Sequence, residues 1–384
     1  MKLKKNILFI SHGNNDLDHY LPIICNLNHR QFKPCLFYIP DSESSTISNF
    51  HLQILNKKKI KVIYSENLVE NKILKKILNL SHKIKKIKLL NIDRRFIFKT
   101  LHYFDYLVGK ILILLFNKNK FEKNILKFIK KFNFKLCIID IFHIDKFDSK
   151  KYLHNFFIFN FLSISKKSKI PIFMVSHGVN IFYDKDKKIE KKNIKNLKAD
   201  LLSVCNKHEI DLYKSCAKNF KSVKILGDLR YDSIWLKFIS RENKKINSRI
   251  GKNGKLKILY IMGNLKFLDK PDVEIEINEQ IKNLVKDFEN IELWVKIHPR
   301  TNLPFKSLDN DKSIKIFDRK IDSSYLIDKA DVILTTHSGL LSQSILQKKK
   351  SILYESWRKN FKNVWTIFDK TPCVKKVFNY DELK

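Results

Sequence analysis

Apolar residues along this chain recur with two periods. Short runs rich in β-branched and aromatic residues alternate with longer segments in which apolar positions return every three or four residues. Continuous short apolar runs are what strands buried on both faces look like, and the longer segments supply crossover helices, so the alternation predicts parallel sheets. In the first half the predicted strands cover 6–11, 33–39, 60–64, 134–140, 170–175, 200–204 and 223–226. The pattern restarts at 256–262 and continues at 291–297, 314–317, 331–335 and 351–354. Between the halves lies the polar run RENKKINSRIGKNGK, with two glycines. The expected division is therefore residues 1–236, a linker at 237–255, and residues 256–384. Both parts read as Rossmann-like α/β domains, with mainly parallel sheets facing a cleft.

The 384 residues carry a net charge of +37, dominated by lysine and spread along the whole length. With 44% hydrophobic residues the chain can bury two cores, which excludes global disorder. Abundant Lys, Asn, Ile and Phe together match the bias of an AT-rich coding sequence. No RNA- or DNA-binding module is visible, so a nucleic-acid partner is not expected. The most basic segment, 71–131, has Asp93, Asp105 and Glu122 as its acidic residues and interleaves Lys with Ile, Leu and Phe at helical spacing. It reads as a helical insertion suited to an anionic membrane surface. The stretch 107–116 is too short and too interrupted by Lys110 to span a bilayer, and the start MKLKKNILFISHG is too short in apolar residues for a signal peptide. The six cysteines form no CxxC pair and no metal spacing. Together these features predict a reduced, cytoplasmic protein, peripheral at most on the inner face of the plasma membrane.

Chemistry concentrates at strand ends. Of only eight glycines, Gly13, Gly178, Gly227, Gly263 and Gly339 follow predicted strands directly. His12, His177, His298 and His337 occupy the same positions. In open α/β sheets ligands bind at the carboxyl ends of strands. No GxGxxG follows the first strand and no GxxxxGK[ST] occurs. Asp228, Asp232, Asp309 and Asp311 make no convincing metal cage, so neither metal nor cofactor is expected.

Thr336, His337, Ser338 and Gly339 precede a helical pattern, with Ser338 as the natural N-cap and free amides offered to a phosphate. Lys296, His298 and Arg300 alternate and so share one side of a strand end, where they can add charged donors. Gly263 and Asn264 would let backbone approach a pyrophosphate. Glu355 is placed to accept from a ribose. Arg230 and Asp232 read either as an ion pair fixing the hinge or as substrate contacts, and His12 with Gly13 as further contacts of the same kind.

Four segments, VSHGVN (175–180), ILGDLRYDS (225–233), WVKIHPRT (294–301) and ADVILTTHSGLLSQSILQKKKSILYE (330–355), stand in an order that resembles the CDP-glycerol glycerophosphotransferases of teichoic acid synthesis. It is similar also to the related capsule polysaccharide transferases. The resemblance implies a GT-B fold and a metal-independent glycosyl or glycerophosphoryl transferase of bacterial surface carbohydrate. Its partners would be a CMP- or CDP-linked donor and a glycan or lipid-linked acceptor. It also implies His177 as general base for the acceptor hydroxyl. Thr336, His337 and Gln343 stand where those enzymes usually carry acidic residues, which favours the broader carbohydrate class over the glycerol-phosphate donor. The non-hydrolysing sugar-nucleotide 2-epimerases, the alternative reading, share the double fold and a late T-x-SG segment. They call for paired carboxylates after it, where this chain has Gln343 and Ser344.

Overall fold

Runs such as ILFI (7–10) and CIID (137–140) are apolar on both faces over most of their length, so each forms a strand only if helices cover both sides of its sheet. The computed structural model describes residues 4–39, 47–69, 76, 118–140, 153–176, 182–183, 199–213, 220–244, 254–263, 271–298, 313–317, 323–360 and 365–384. The chain divides into two compact units. Unit 1 comprises residues 1–179 and 188–230, and unit 2 comprises 180–187 and 231–384.

Unit 1 contains β1 (Lys5–Ser11), β2 (Phe32–Tyr38), β3 (Lys61–Tyr64), β4 (Phe134–Asp140) and β5 (Ile172–Val175). After β6 (Phe182–Tyr183), which belongs to unit 2, come β7 (Ala199–Val204) and β8 (Phe220–Ile225). The sheet order is β3-β2-β1-β4-β5-β7-β8 and every pairing is parallel. The chain reverses direction across the sheet between β1 and β4, and that is the topological switch point. The helices are α1 (Asn14–Asn26), α2 (Asn49–Lys57), α3 (Lys118–Phe132), α4 (Leu153–Lys167) and α5 (Lys207–Tyr213). Strand period decides which face each residue serves. Leu8 and Ile10 join the phenylalanine-rich layer of α3 and α4, where the rings of Phe37 and Phe161 lie 4.5 Å apart. Phe9, on the opposite face, meets Tyr20 of α1.

Unit 2 contains β9 (Leu256–Ile261), β10 (Ile291–Lys296), β11 (Ile314–Phe317), β12 (Val332–Thr335), β13 (Lys350–Tyr354), β14 (Trp365–Thr366) and β15 (Val374–Val377). Its main sheet runs β11-β10-β9-β12-β13-β15, again all parallel, with the switch point between β9 and β12. β14 pairs antiparallel with β6. The helices are α6 (Ser233–Lys244), α7 (Pro271–Asp287), α8 (Ser323–Lys329), α9 (Leu340–Leu346) and α10 (Tyr380–Leu383). Thus residues 237–244, read from sequence as the start of a linker, continue α6. Every residue of β10 is buried. The carboxylate of Glu292, 1% exposed on that strand, accepts from Trp294 Nε1 at 2.6 Å and pairs with Lys315.

The basic segment 71–131 is described at Lys76 and from residue 118 onward. Over that second part the expected membrane-facing helix is corrected. Phe121, Ile125, Phe128 and Ile129 of α3 pack into the unit 1 core, while Lys120, Lys123, Lys127 and Lys130 are exposed. The helix keeps no apolar face for a lipid interface. Among the described residues no helix is long and apolar enough to cross a membrane.

Candidate functional site

At the switch point of unit 2, Thr335 and Val332 of β12 pair with Ile261 and Ile258 of β9, and this register carries Thr336 and His337 past Met262 and Gly263. The two strand-end loops touch. A Cβ added to Gly263 would lie 2.4 Å from the His337 carbonyl oxygen, 2.7 Å from Thr336 Oγ1 and 2.8 Å from the His337 amide nitrogen. Glycine is required there by close approach of backbone to backbone, the reason the strand-end position first suggested. Gly227 serves differently: its φ of +78° is a turn conformation, with open space around the missing side chain.

The segment after β12 is fixed from several sides. Thr335 Oγ1 donates to the Ile261 carbonyl at 2.9 Å. Trp357 Nε1 donates to the Thr336 carbonyl at 3.2 Å, and Tyr231 Oη to the Gly339 carbonyl at 2.6 Å. The expected cap is shifted by one residue: α9 begins at Leu340 behind Gly339, and Ser338 Oγ accepts from the Leu340 amide at 3.3 Å. Burial pushes the His337 imidazole down to about 3, with nearby His298 adding repulsion. His337 is therefore neutral at physiological pH and offers one donor and one acceptor, not a charge. Lys296 is buried at 7% exposure, on the same strand face as Trp294 and not on a solvated strand end, whereas His298 is half-buried.

Glu355 follows β13 and is fully buried. Its Oε2 accepts from Arg358 at 2.7 Å, while its Oε1 has no hydrogen-bond partner among the described residues. Burial pushes its carboxyl above the usual range even against Arg358. Arg358 also holds both oxygens of Asp369 at 2.6 Å. Gln343 and Ser344 on α9 turn inward; Ser344 Oγ bonds to Ser351 Oγ and to the Leu341 carbonyl, both at 2.8 Å.

In unit 1, the switch point between β1 and β4 carries His12 and Gly13 on one side and the fully buried Asp140 on the other. A single carboxylate oxygen of Asp16, Oδ2, accepts from both the backbone N–H and Nδ1 of His12, each at 2.9 Å. This dyad was not anticipated from sequence, although its i,i+4 spacing in HGNND was visible. The expected Arg230–Asp232 pair is corrected. Arg230 closes on Asp228 instead, with NH2 to Oδ2 at 2.7 Å, and Asp232 Oδ1 caps α6 by accepting from the amides of Ile234 and Trp235. The two-residue spacing within DLR lets Arg230 fold back on a nearly buried carboxylate, while Asp232 is at the helix start where a short acceptor is needed. His177, Gly178, Asn264 and Arg300 lie outside the described residues.

No protein-family model matches the sequence, and no curated protein matches it. Solved structures do. A UDP-GlcNAc 2-epimerase from Methanocaldococcus jannaschii superposes with a TM-score of 0.58 at 13% identity, covering 98% of this chain and 90% of that one. The fold is of the GT-B type. A UDP-GlcNAc 2-epimerase from Neisseria meningitidis, bound to UDP-GlcNAc, gives 0.55 at 12% identity over 98% of this chain and 89% of its own. S. aureus MnaA, solved with UDP, gives 0.56 at 13% identity over 99% and 86%. The comparison overturns the transferase expectation. These three structures, similar over nearly the whole chain, are UDP-GlcNAc 2-epimerases or a UDP-bound relative in fold. The segments that suggested a transferase run on in the sequence from β5 and β10, and residues after a strand of this kind belong to the double fold as much as to a transferase.

Proposed function

We propose that this chain is a nucleotide-sugar enzyme of the 2-epimerase kind, acting on a UDP-linked sugar. The observation that carries the reading is the likeness to UDP-GlcNAc 2-epimerases across 98% of the chain, taken with a built strand edge in unit 2. In this reading the contact between Gly263 and the 336–337 backbone shapes the floor for the diphosphate. Ser338, Gly339 and neutral His337 supply donors without adding charge, while Lys296 and His298 neutralise phosphate. Oε1 of Glu355, buried and lacking a partner among the described residues, accepts from a ribose hydroxyl. Gln343 and Ser344 cannot exchange protons with a sugar, so acid–base work falls to side chains outside α9.

The test is a thermal-shift panel of UDP, UDP-GlcNAc, CMP, CDP and GDP, with proton NMR of UDP-GlcNAc in D2O. A ligand at a hundred times its dissociation constant adds about 2.7 kcal/mol. UDP and UDP-GlcNAc should stabilise the chain, and the sugar's C2 proton should exchange as the epimer accumulates. Stabilisation by cytidine nucleotides alone, or a C2 proton that never exchanges, would end this reading.

A further inference from the structure

Lysine is spread along the sequence, and the fold of unit 1 gathers it. In a parallel sheet every strand starts at the same edge, and each crossover helix ends there. The amino edge of β3-β2-β1-β4-β5 therefore collects the openings of five adjacent strands and the last turns of α2, α3 and α4. Lys33 lies in β2, Lys5 in β1 and Lys135 in β4, while Lys169 precedes β5, and all four are exposed. Helices α3 and α4 add Lys130, Lys131, Lys166 and Lys167 in their last turns. At about 4.8 Å between strands, five strands spread this charge over about 20 Å. Among the described residues two carboxylates reach the edge: Asp200 pairs with Lys221, and Glu122 accepts from Lys167 at 3.1 Å. The buried carboxylates Asp16, Asp140 and Glu209 lie toward the opposite edge, at or after the ends of β1, β4 and β7.

Two ordinary causes cover part of this pattern. Lysine in the last turn of a helix complements the negative end of the helix dipole, which explains the ends of α3 and α4. A lysine-rich composition scatters more. Neither explains Lys5, Lys33 and Lys135, which belong to strands, and unit 2 has a different edge. There the Asp331 carboxylate accepts from the Lys257 amide at 2.8 Å, and Lys315 pairs with Glu292. Asp287 and Glu289 follow Lys286 in sequence where α7 gives way to β10. Signs alternate along that edge. Composition alone would make the two edges alike.

The chemistry of the patch selects its partner. An ammonium group is a point charge without the planar fork of arginine, and stacking on bases needs exposed aromatic rings. Here Phe32 and Phe132 are half-buried, and Phe134 and Phe220 are buried. The exposed large apolar residues of the chain also lie elsewhere, so nothing at this edge is suited to enter hydrocarbon. Strand openings flanked by helix ends make a two-dimensional array, the form that meets a surface of like extent. Among the described residues Lys5, Lys33, Lys135 and Lys169 form no ion pair.

We propose that the amino edge of the unit 1 sheet is a docking surface for an anionic lipid bilayer, held by charge alone. Headgroup phosphates supply the counter-charges that these lysines lack within the protein. The attachment is reversible and salt-sensitive, since physiological salt screens exposed charges beyond about 8 Å. It is independent of the reaction proposed above, and it leaves the carboxyl edge of the same sheet clear.

Flotation of the full chain with vesicles tests this, using phosphatidylcholine alone or mixed with phosphatidylglycerol. The chain should float with the anionic vesicles at low salt, stay behind with the neutral ones, and be released at about 0.5 M salt. Lys5→Gln, Lys33→Gln, Lys135→Gln and Lys169→Gln combined should weaken binding on the order of a hundredfold. Lys257→Gln, Lys286→Gln, Lys350→Gln and Lys375→Gln combined remove the same charge from unit 2 and should weaken it no more than about threefold. Equal losses in the two sets, binding to neutral vesicles, or no binding at all would overturn the proposal. Capture by double-stranded DNA at a salt concentration that releases the vesicles would overturn it too, making the partner a nucleic acid. Should the unit 1 variant not fold, acetylation of the wild-type chain, read by peptide mass mapping, decides. Anionic vesicles should slow labelling of Lys5, Lys33, Lys135 and Lys169 by at least about fivefold and leave Lys286 and Lys350 within about twofold. Protection spread evenly over both units would remove the docking surface.

Discussion

The carbonyl oxygen of His337 lies 2.4 Å from the point where a side chain on Gly263 would begin. Both partners in that contact are main chain, so neither can rotate away. Gly263→Ala should force β9 and β12 apart at their carboxyl ends and cost about 1–3 kcal/mol, the usual range for overpacking. Gly227→Ala should cost about 1 kcal/mol through its left-handed φ alone. Urea denaturation measures both. UDP stabilisation should fall in the first variant only, and equal UDP shifts in the two would separate Gly263 from the nucleotide.

His337 makes stability depend on acid. The unfolded chain protonates this imidazole below pH 6.5, while the folded chain resists until about pH 3. The unfolded state therefore binds the extra proton across that window, and stability falls as pH falls. The loss reaches about 2 kcal/mol by pH 5, before most carboxylates titrate. His337→Gln should flatten the denaturation midpoint between pH 7 and 5. A slope identical to that of the parent chain would show that His337 is not held neutral.

Arg358 binds two carboxylates at once, Glu355 with no exposure and Asp369 with 12%. Removing the cation while leaving both anions should cost about 3–5 kcal/mol, as for other broken buried pairs. Arg358→Met is therefore expected to unfold well before Glu355→Gln, which keeps a hydrogen-bonding oxygen and removes a charge already disfavoured by burial. Glu355→Gln should instead weaken UDP at least fivefold in the thermal-shift titration. Full UDP affinity in a folded Glu355→Gln would place the ribose elsewhere.

The sheets were legible because strands buried on both faces leave long apolar runs. Ile291–Lys296 and Phe134–Asp140 could be read within a residue of their ends. β15 escaped because VKKV has no such run: half its side chains are lysines at the margin of the sheet. Strand-end glycines located the unit 2 loops, and the Gly263 contact gives one of them a steric reason. Ion pairs were harder. Arg230 has carboxylates at two plausible spacings, Asp228 and Asp232, and only the fold shows that the second is occupied by α6 amides. The enzyme class was not legible, because an HG or HP pair in a sequence fixes no chemistry by itself, and the likeness that bears on it, at 11–13% identity, is one of fold.

The pairing of Phe182 with Thr366 and of Tyr183 with Trp365 has a consequence for synthesis. β6 leaves the ribosome among the last strands of unit 1, but its partner follows about 180 residues later. At roughly 5–20 residues per second the wait is on the order of 10–40 s. During that interval unit 1 can close its own sheet, whereas β6 stays an unpaired edge. A nascent chain stalled before Trp365 should thus remain protease-sensitive near residue 182, and a C-terminal fragment beginning at Tyr231 would emerge without the strand that β14 needs.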